Sequence, residues 1–192
     1  MKKDILEPGF VYHIFNRGNN RENIFKEHKN YSYFLTKVRF YLAPLCDIYA
    51  YCLMPNHFHL IVRIKESNYT IGKSQRELCQ PFSNLFNSYT TSINKSYERT
   101  GSLFQEHFHR ERITRETYFI SAFIYVHTNP AHHKFVAHFM EYPWSSIHDY
   151  KNQVSKIVSM DFPIQAFDGV ENMLLLHNRK NTMIQKLIDI EE

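Results

Sequence analysis

Two histidine pairs, each with one residue between its members, raise the question of metal chemistry. The stretch "MPNHFHLIV" (Met54 to Val62) carries His57 and His59, and "QEHFHRERI" carries His107 and His109. Side chains alternate faces along a strand, so His57 and His59 project to one side while Phe58, Leu60 and Val62 project to the other. Three apolar partners mark that second side as the core face. The two imidazoles are left together on the opposite face, where they can present two nitrogens to one cation. The same spacing also describes two ordinary side chains on a wet strand face, and two imidazoles are too few for a site. A third ligand must come from another element.

The segment "TYFISAFIYVHTNP" supplies a candidate. Counted at ~100° per residue, Phe119, Ala122, Phe123 and Val126 form a helical core stripe. Tyr118, Tyr125 and Asn129 lie roughly a quarter-turn away, where the helix edge borders a sheet surface, and Tyr125 and Asn129, four apart, face the same way. His127 falls on the other flank. Pro130 disfavours a helical conformation at the residue before it, so the helix is expected to end at Asn129. An amide oxygen at that point is an acceptable metal ligand beside two histidines. Without the histidines, Tyr125 reads as a packing residue with a tethered hydroxyl and Asn129 as a C-terminal cap.

These side chains need a scaffold, and 192 residues with 43% hydrophobic content suffice for one compact domain with an appended tail. The N-terminus "MKKDILEPGF" lacks the apolar run of a signal peptide, and no segment approaches the ~20 apolar residues of a membrane span, so a cytoplasmic protein without a membrane partner is expected. Cys46, Cys52 and Cys79 have neither disulfide-framework nor zinc-cysteine spacing. A net charge of +4 and 16% aromatic residues suit a polyanionic partner, since rings near basic residues are what single-stranded nucleic acid stacks on.

"GFVYHIFNRGNN" reads as a first strand running into a loop. Tyr31, Phe34, Leu35, Val38 and Leu42 give helical spacing from His28 to Leu42, and Pro44 stops the run. "DIYAYCLM" and "HFHLIVRIK" form a hairpin about Pro55 and Asn56. A second helix spans Ser74 to about Tyr97, with Pro81 expected to kink or divide it. A short strand, "FHRERIT", and a helix from about Glu116 follow. The order strand, helix, two strands, helix, strand, helix predicts an α+β, ferredoxin-like (RRM-like) antiparallel sheet with helices packed on one face. Residues 1–150 make the domain and 151–192 a C-terminal helical extension of the same compact unit, whose Leu174, Leu175, Leu187 and Ile188 could cover its own core or a partner's.

Taken together, "HIFNRGNNRENIF", "MPNHFHLIV", "GSLFQEHFHRERI", "FIYVHTNP" and "YPWSS" resemble, in order from about Tyr12 to Tyr150, the single-tyrosine HUH transposases of the insertion-sequence 200/605 type, and most of all their REP-associated tyrosine transposase branch. The resemblance implies a metal-dependent transposase and endonuclease acting on single-stranded DNA near hairpins. It assigns His57, His59 and Asn129 as metal ligands and Tyr125 as the nucleophile of a 5′-phosphotyrosine intermediate. The pair at His107 falls where the family has a variable basic stretch. Magnesium or manganese is implied as cofactor, and two imidazoles with an amide suit manganese better. The chain departs from the family after Asn129-Pro130, where "AHHKF" replaces a valine and a basic residue.

A phosphate-binding rim is expected from the loop residues Arg17, Asn19, Asn20 and Arg21, from Arg110, Arg112 and Arg115 around the late strand, and from Arg63, which continues the face of His57 and His59. The expected partner is hairpin-bearing single-stranded DNA, and a monomer is favoured over a homodimer. One alternative is a module on the same fold that binds nucleic acid without cutting it, such as a repressor. A zinc hydrolase built on either HFH pair lacks an acidic residue at HExxH-type spacing.

Overall fold

The structure, a computed structural model, describes residues 4–191, with side chains described as far as residue 183. The first seven elements are β1 (Val11–Arg17), α1 (His28–Leu42), β2 (Cys46–Met54), β3 (His57–Ile64), α2 (Gln75–Ser96), β4 (His109–Ile113) and α3 (Glu116–His132). The strands form one sheet in the order β2-β3-β1-β4, antiparallel throughout. This is the ferredoxin-like α+β topology that the order of elements predicts.

Local chemistry accounts for most boundaries. Glu27 and Asn30 exchange side-chain and backbone hydrogen bonds at the start of α1, and Ser74 and Glu77 do the same for α2. The apolar stripe of α1 is buried as its spacing requires. One proline does not act as expected, and a second does so only in part. Pro81 lies inside α2 without dividing it, buried on the side of Leu78, Phe82 and Leu85. Pro130 lies inside α3, which continues past Asn129 to His132, with Pro130 and Ala131 both buried. In each case packing of the proline's own turn outweighs one missing backbone donor.

Helices α1 and α2 cover the sheet face built from Tyr12, Ile14, Phe58, Leu60 and Val62, where Phe58 meets Phe34 at 5.1 Å and Phe86 at 5.6 Å between ring centroids. The expected packing on one face holds for these two helices. The third, α3, lies on the opposite face. That face is apolar towards β2, where Cys52 and Ile61 are fully buried and a register shift between Ile48 and Ala50 leaves Tyr49 packed against Phe119. An apolar half-sheet needs a cover, and the Phe119, Phe123 and Val126 stripe supplies it. Towards β1 and β4 the same face carries His13, Phe15, His109 and Glu111 and stays open.

After α3 come α4 (Ile147–Asn152), α5 (Asp161–Ala166) and α6 (Val170–Glu191). Phe123 of α3 packs against Tyr150, Phe167 and His177. The "YPWSS" segment closes the free edge of β2: Trp144 O accepts from Leu53 N, Ser146 N donates to Tyr51 O, and Trp144 stacks on Tyr31 at 4.7 Å. Leu174 packs against the core and Leu175 is exposed, while Leu187 and Ile188 fall outside the residues with described side chains. Among the described residues no helix is long and apolar enough to cross a membrane.

Candidate active site

The site forms where the open half of the sheet meets α3. Strand β3 presents His57 and His59, whose register partners on β1 are Arg17 and Phe15. From above, α3 places Tyr125 with its ring 5.6 Å from that of His59 and 6.2 Å from that of His13. The rings of His57 and His59 are 5.3 Å apart. A cavity of about 570 Å³ opens over them, lined by Arg17, Arg21, His57, His59, His109 and Tyr125 among others.

Hydrogen bonding orients both imidazoles. His57 Nδ1 lies 2.6 Å from Asn56 Oδ1, which can only accept, so the ring proton sits on Nδ1 and Nε2 keeps its lone pair. His59 Nδ1 lies 2.9 Å from His13 Nε2. Burial, reinforced by nearby His133, holds His57 down at about 4. Burial first, and then the other histidines, pushes His59 well below the ordinary imidazole value. Both are therefore neutral near pH 7, the form that binds metal.

Asn129 is fully buried and its amide comes within reach of His57, yet neither Oδ1 nor Nδ2 makes a well-formed hydrogen bond. Leaving a buried polar group unpaired costs about 1–3 kcal/mol. An amide oxygen without a partner, within reach of His57, whose ring lies 5.3 Å from that of His59, fits a divalent cation. Among the described residues no group of three or more His, Cys, Asp and Glu side chains is placed to hold a metal, so a centre here depends on this amide.

Tyr125 is 41% exposed, and among the described residues its hydroxyl makes no hydrogen bond. Tyr118, two turns earlier, donates to Glu111 Oε2 at 3.3 Å, and burial with that carboxylate raises its hydroxyl. Of the two tyrosines on this flank, Tyr125 is the free one.

The expected rim is only partly assembled. Arg17 and Arg21 line the cavity. Gly18 permits this, because a Cβ there would lie 2.2 Å from Glu22 O where the chain folds back through the tight turn at Asn19–Arg21. Asn19 donates to Ser102 O, and Asn20 is exposed and does not line the cavity. Arg63 shares the face of His57 and His59 but sits at the far end of β3, bound to Gly9 O and Glu66. Arg110 and Arg112 pair with Ile14 and Tyr12 and so belong to the other face. There Arg110 binds Asp4 O, while Arg112 pairs with Glu7 and lies over the Phe10 ring. Arg115 occupies the position just before α3, about 15 Å along the helix from Tyr125.

The structure adds residues that spacing alone did not single out. His13 shares the parity of Phe15 and Arg17 on β1, a signal present in "VYHIFNR" but weak beside the HFH motif. The second HFH pair splits: His107 sits exposed in a loop, while His109 stacks on Phe15 at 4.7 Å and lines the cavity. His133, in "AHHKF", comes to 5.4 Å from His57 because α3 runs through Pro130.

The sequence profile of the IS200-like transposases matches residues 8–129. No curated protein matches. A solved structure of a REP-associated tyrosine transposase bound to a REP hairpin superposes with a TM-score of 0.64 at 16% identity, covering 80% of this chain and 85% of that one. A bacterial tRNA(His) guanylyltransferase-like protein in complex with GTP superposes at 0.45 and 8% identity, over 66% and 65% of the two chains, a likeness too slight to bear on function.

Proposed function

This chain belongs to the IS200-like transposase family, and from that membership we propose that it cleaves and rejoins single-stranded DNA beside hairpins through a covalent tyrosine intermediate. The observation that carries the reading is the buried, unpartnered amide of Asn129, one helical turn from the free hydroxyl of Tyr125 and within reach of His57, whose ring neighbours that of His59.

In this reading His57, His59 and Asn129 would hold a magnesium or manganese ion. When bound, such an ion withdraws charge from a non-bridging phosphate oxygen and so eases attack on the diester. Tyr125 loses its proton to solvent and its oxygen forms a bond to phosphorus as the bond from phosphorus to O3′ breaks, the departing O3′ taking up a proton from solvent. The products are a 5′-phosphotyrosine and a free 3′-hydroxyl. Attack by a second 3′-hydroxyl reverses the step and rejoins the strand without another energy source. Arg17 and Arg21 face the phosphates across the cavity.

The test is incubation with labelled hairpin DNA from the gene's own flanks in manganese, followed by a denaturing gel. Wild type yields a denaturation-resistant adduct that Tyr125→Phe and His57→Ala both lose. Binding without any adduct would replace the reading by a non-cutting module on the same fold.

A further inference from the structure

We infer that His13 and Asn56 are positioning residues of the proposed metal centre, each gripping the Nδ1 of one histidine ligand so that both ligands present Nε2 to the cation. The inference rests on the reading above and deepens it.

An imidazole can ligate through either nitrogen, and a ring that ligates through Nε2 while neutral must carry its proton on Nδ1. For His57 the neighbour settles the matter, because Asn56 Oδ1, 2.6 Å away, has no proton to give. For His59 the neighbour is another imidazole, His13, with its Nε2 2.9 Å from Nδ1. Two proton arrangements satisfy that contact. In one, His13 donates, the His59 proton moves to Nε2, and ligation there is blocked. In the other, His59 donates from Nδ1, His13 accepts and keeps its own proton on Nδ1, and Nε2 of His59 is free. Only the second is compatible with a cation beside Asn129.

Both holders are themselves fixed. His13 is 6% exposed, stacks on His59 at 5.0 Å and tilts against Phe15 at 4.9 Å, and Phe15 is the register partner of His59. Asn56 lies in the two-residue turn that launches β3, and its carbonyl accepts from Gly18 N at 2.8 Å. The turn is thereby tied to the end of β1, the strand that carries His13. Since His13 meets His59 at Nδ1, on the ring edge away from Nε2, it is a holder and not a further ligand.

The experiment measures Mn2+ affinity by the electron-paramagnetic signal of free ion, alongside long-range 1H–15N spectra of the histidine rings with Mg2+. Removing a group that orients a metal ligand typically weakens binding ~10–100-fold. His13→Phe, which keeps a ring but cannot accept, and Asn56→Ala should each show such a loss. His13→Gln and Asn56→Asp, which keep an acceptor, should recover most of it, and metal-free melting temperatures should stay close to wild type in all four. The spectra should place the proton on Nδ1 of His57 and His59. Wild-type affinity in His13→Phe and Asn56→Ala, with wild type still forming the tyrosine adduct, would overturn this inference and leave the function standing. Absence of both saturable Mn2+ binding and adduct in wild type would overturn both. If His13→Phe does not fold, the ring tautomers of wild type and the affinity of His13→Gln decide: a proton on Nε2 of His59 refutes the inference.

Discussion

Replacing Asn129 by leucine should stabilise the metal-free protein and abolish its metal response. Both side-chain polar atoms of Asn129 are buried without a well-formed hydrogen bond, and the residue is fully inaccessible. Each such group costs about 1–3 kcal/mol, offset in part by the imperfect contact with His57. Leucine removes that cost and has the same branched shape, but its methyl groups are bulkier than the amide's atoms, so overpacking of about 1 kcal/mol is taken off. Two such groups less the overpacking leave about 1–5 kcal/mol, and the His57 contact brings the net gain to the low end of that range, about 1–2 kcal/mol, or roughly 2–8 °C in melting temperature for a chain of this length. Adding Mn2+ reverses the order, because wild type gains ~2.7 kcal/mol at a hundredfold excess over Kd while the variant gains little. The assay is thermal melting of both proteins with and without Mn2+. A variant that melts lower than wild type without metal and still rises with Mn2+ would show that the Asn129 amide serves the fold and not a cation.

The arginines should divide by face. Arg17→Ala and Arg21→Ala should each weaken hairpin binding and reduce the salt slope by roughly 0.7, the single-strand value per phosphate, while Arg112→Ala, which loses its pairing with Glu7 and its place over Phe10, should lower the melting temperature and leave the slope alone. Binding titrations at several salt concentrations separate the two. Tyr118→Phe should form adduct like wild type, since that hydroxyl is engaged by Glu111; loss of adduct on the gel would move the nucleophile to Tyr118. Stability should fall with acid between about pH 6.5 and 4: burial holds His177 at about 4 in the folded state, so in that window only the unfolded chain takes up its proton, for up to ~3 kcal/mol in all. Urea midpoints should be flat above pH 7, and His177→Gln should show a shallower acid decline than wild type.

The periodicities that were strong in sequence are those that packing alone decides. The stripe Tyr31, Phe34, Leu35, Val38 and Leu42 marks α1, and the alternation about Phe58, Leu60 and Val62 marks the core face of β3 and hence the side on which the two imidazoles lie. What sequence could not show is which arginines share that face. Parity along "FHRERIT" puts Arg110 and Arg112 opposite His109 and Glu111, but which parity faces the site depends on the register of β4 against β1, a tertiary fact. The prolines misled for a related reason. A rule about one residue's backbone predicts a stop at Asn129, whereas burial of Pro130 and Ala131 adds a turn and brings His133 to the site. The second face of the sheet escaped notice because its apolar half is assembled from β2 and β3 together.

The anchoring of α3 also shows what the C-terminal part of the chain contributes. The proposed nucleophile Tyr125 and the proposed ligand Asn129 sit on one helix, and catalysis in general tolerates little displacement of its groups: a shift of about 1 Å can cost a hundredfold in rate. Little in the sequence "IYVHTNP" would hold a helix straight, with β-branched residues and a proline in its last turns. Support comes from behind. His127, on the flank away from Tyr125, is fully buried, with Nδ1 3.1 Å from His177 Nε2 on α6 and Nε2 2.8 Å from Ser146 Oγ. One direction of donation satisfies the whole chain with both rings neutral: His177 Nδ1 gives to Met173 O, His127 Nδ1 gives to His177 Nε2, Ser146 Oγ gives to His127 Nε2, and Tyr51 N gives to Ser146 Oγ. The helix that carries the proposed nucleophile is thus tied to α6 on one side and to β2 on the other. Loosening that tie should slow strand cleavage more than it weakens DNA binding, because it moves Tyr125 relative to His57 and His59 while leaving Arg17 and Arg21 on β1 and its turn where they are.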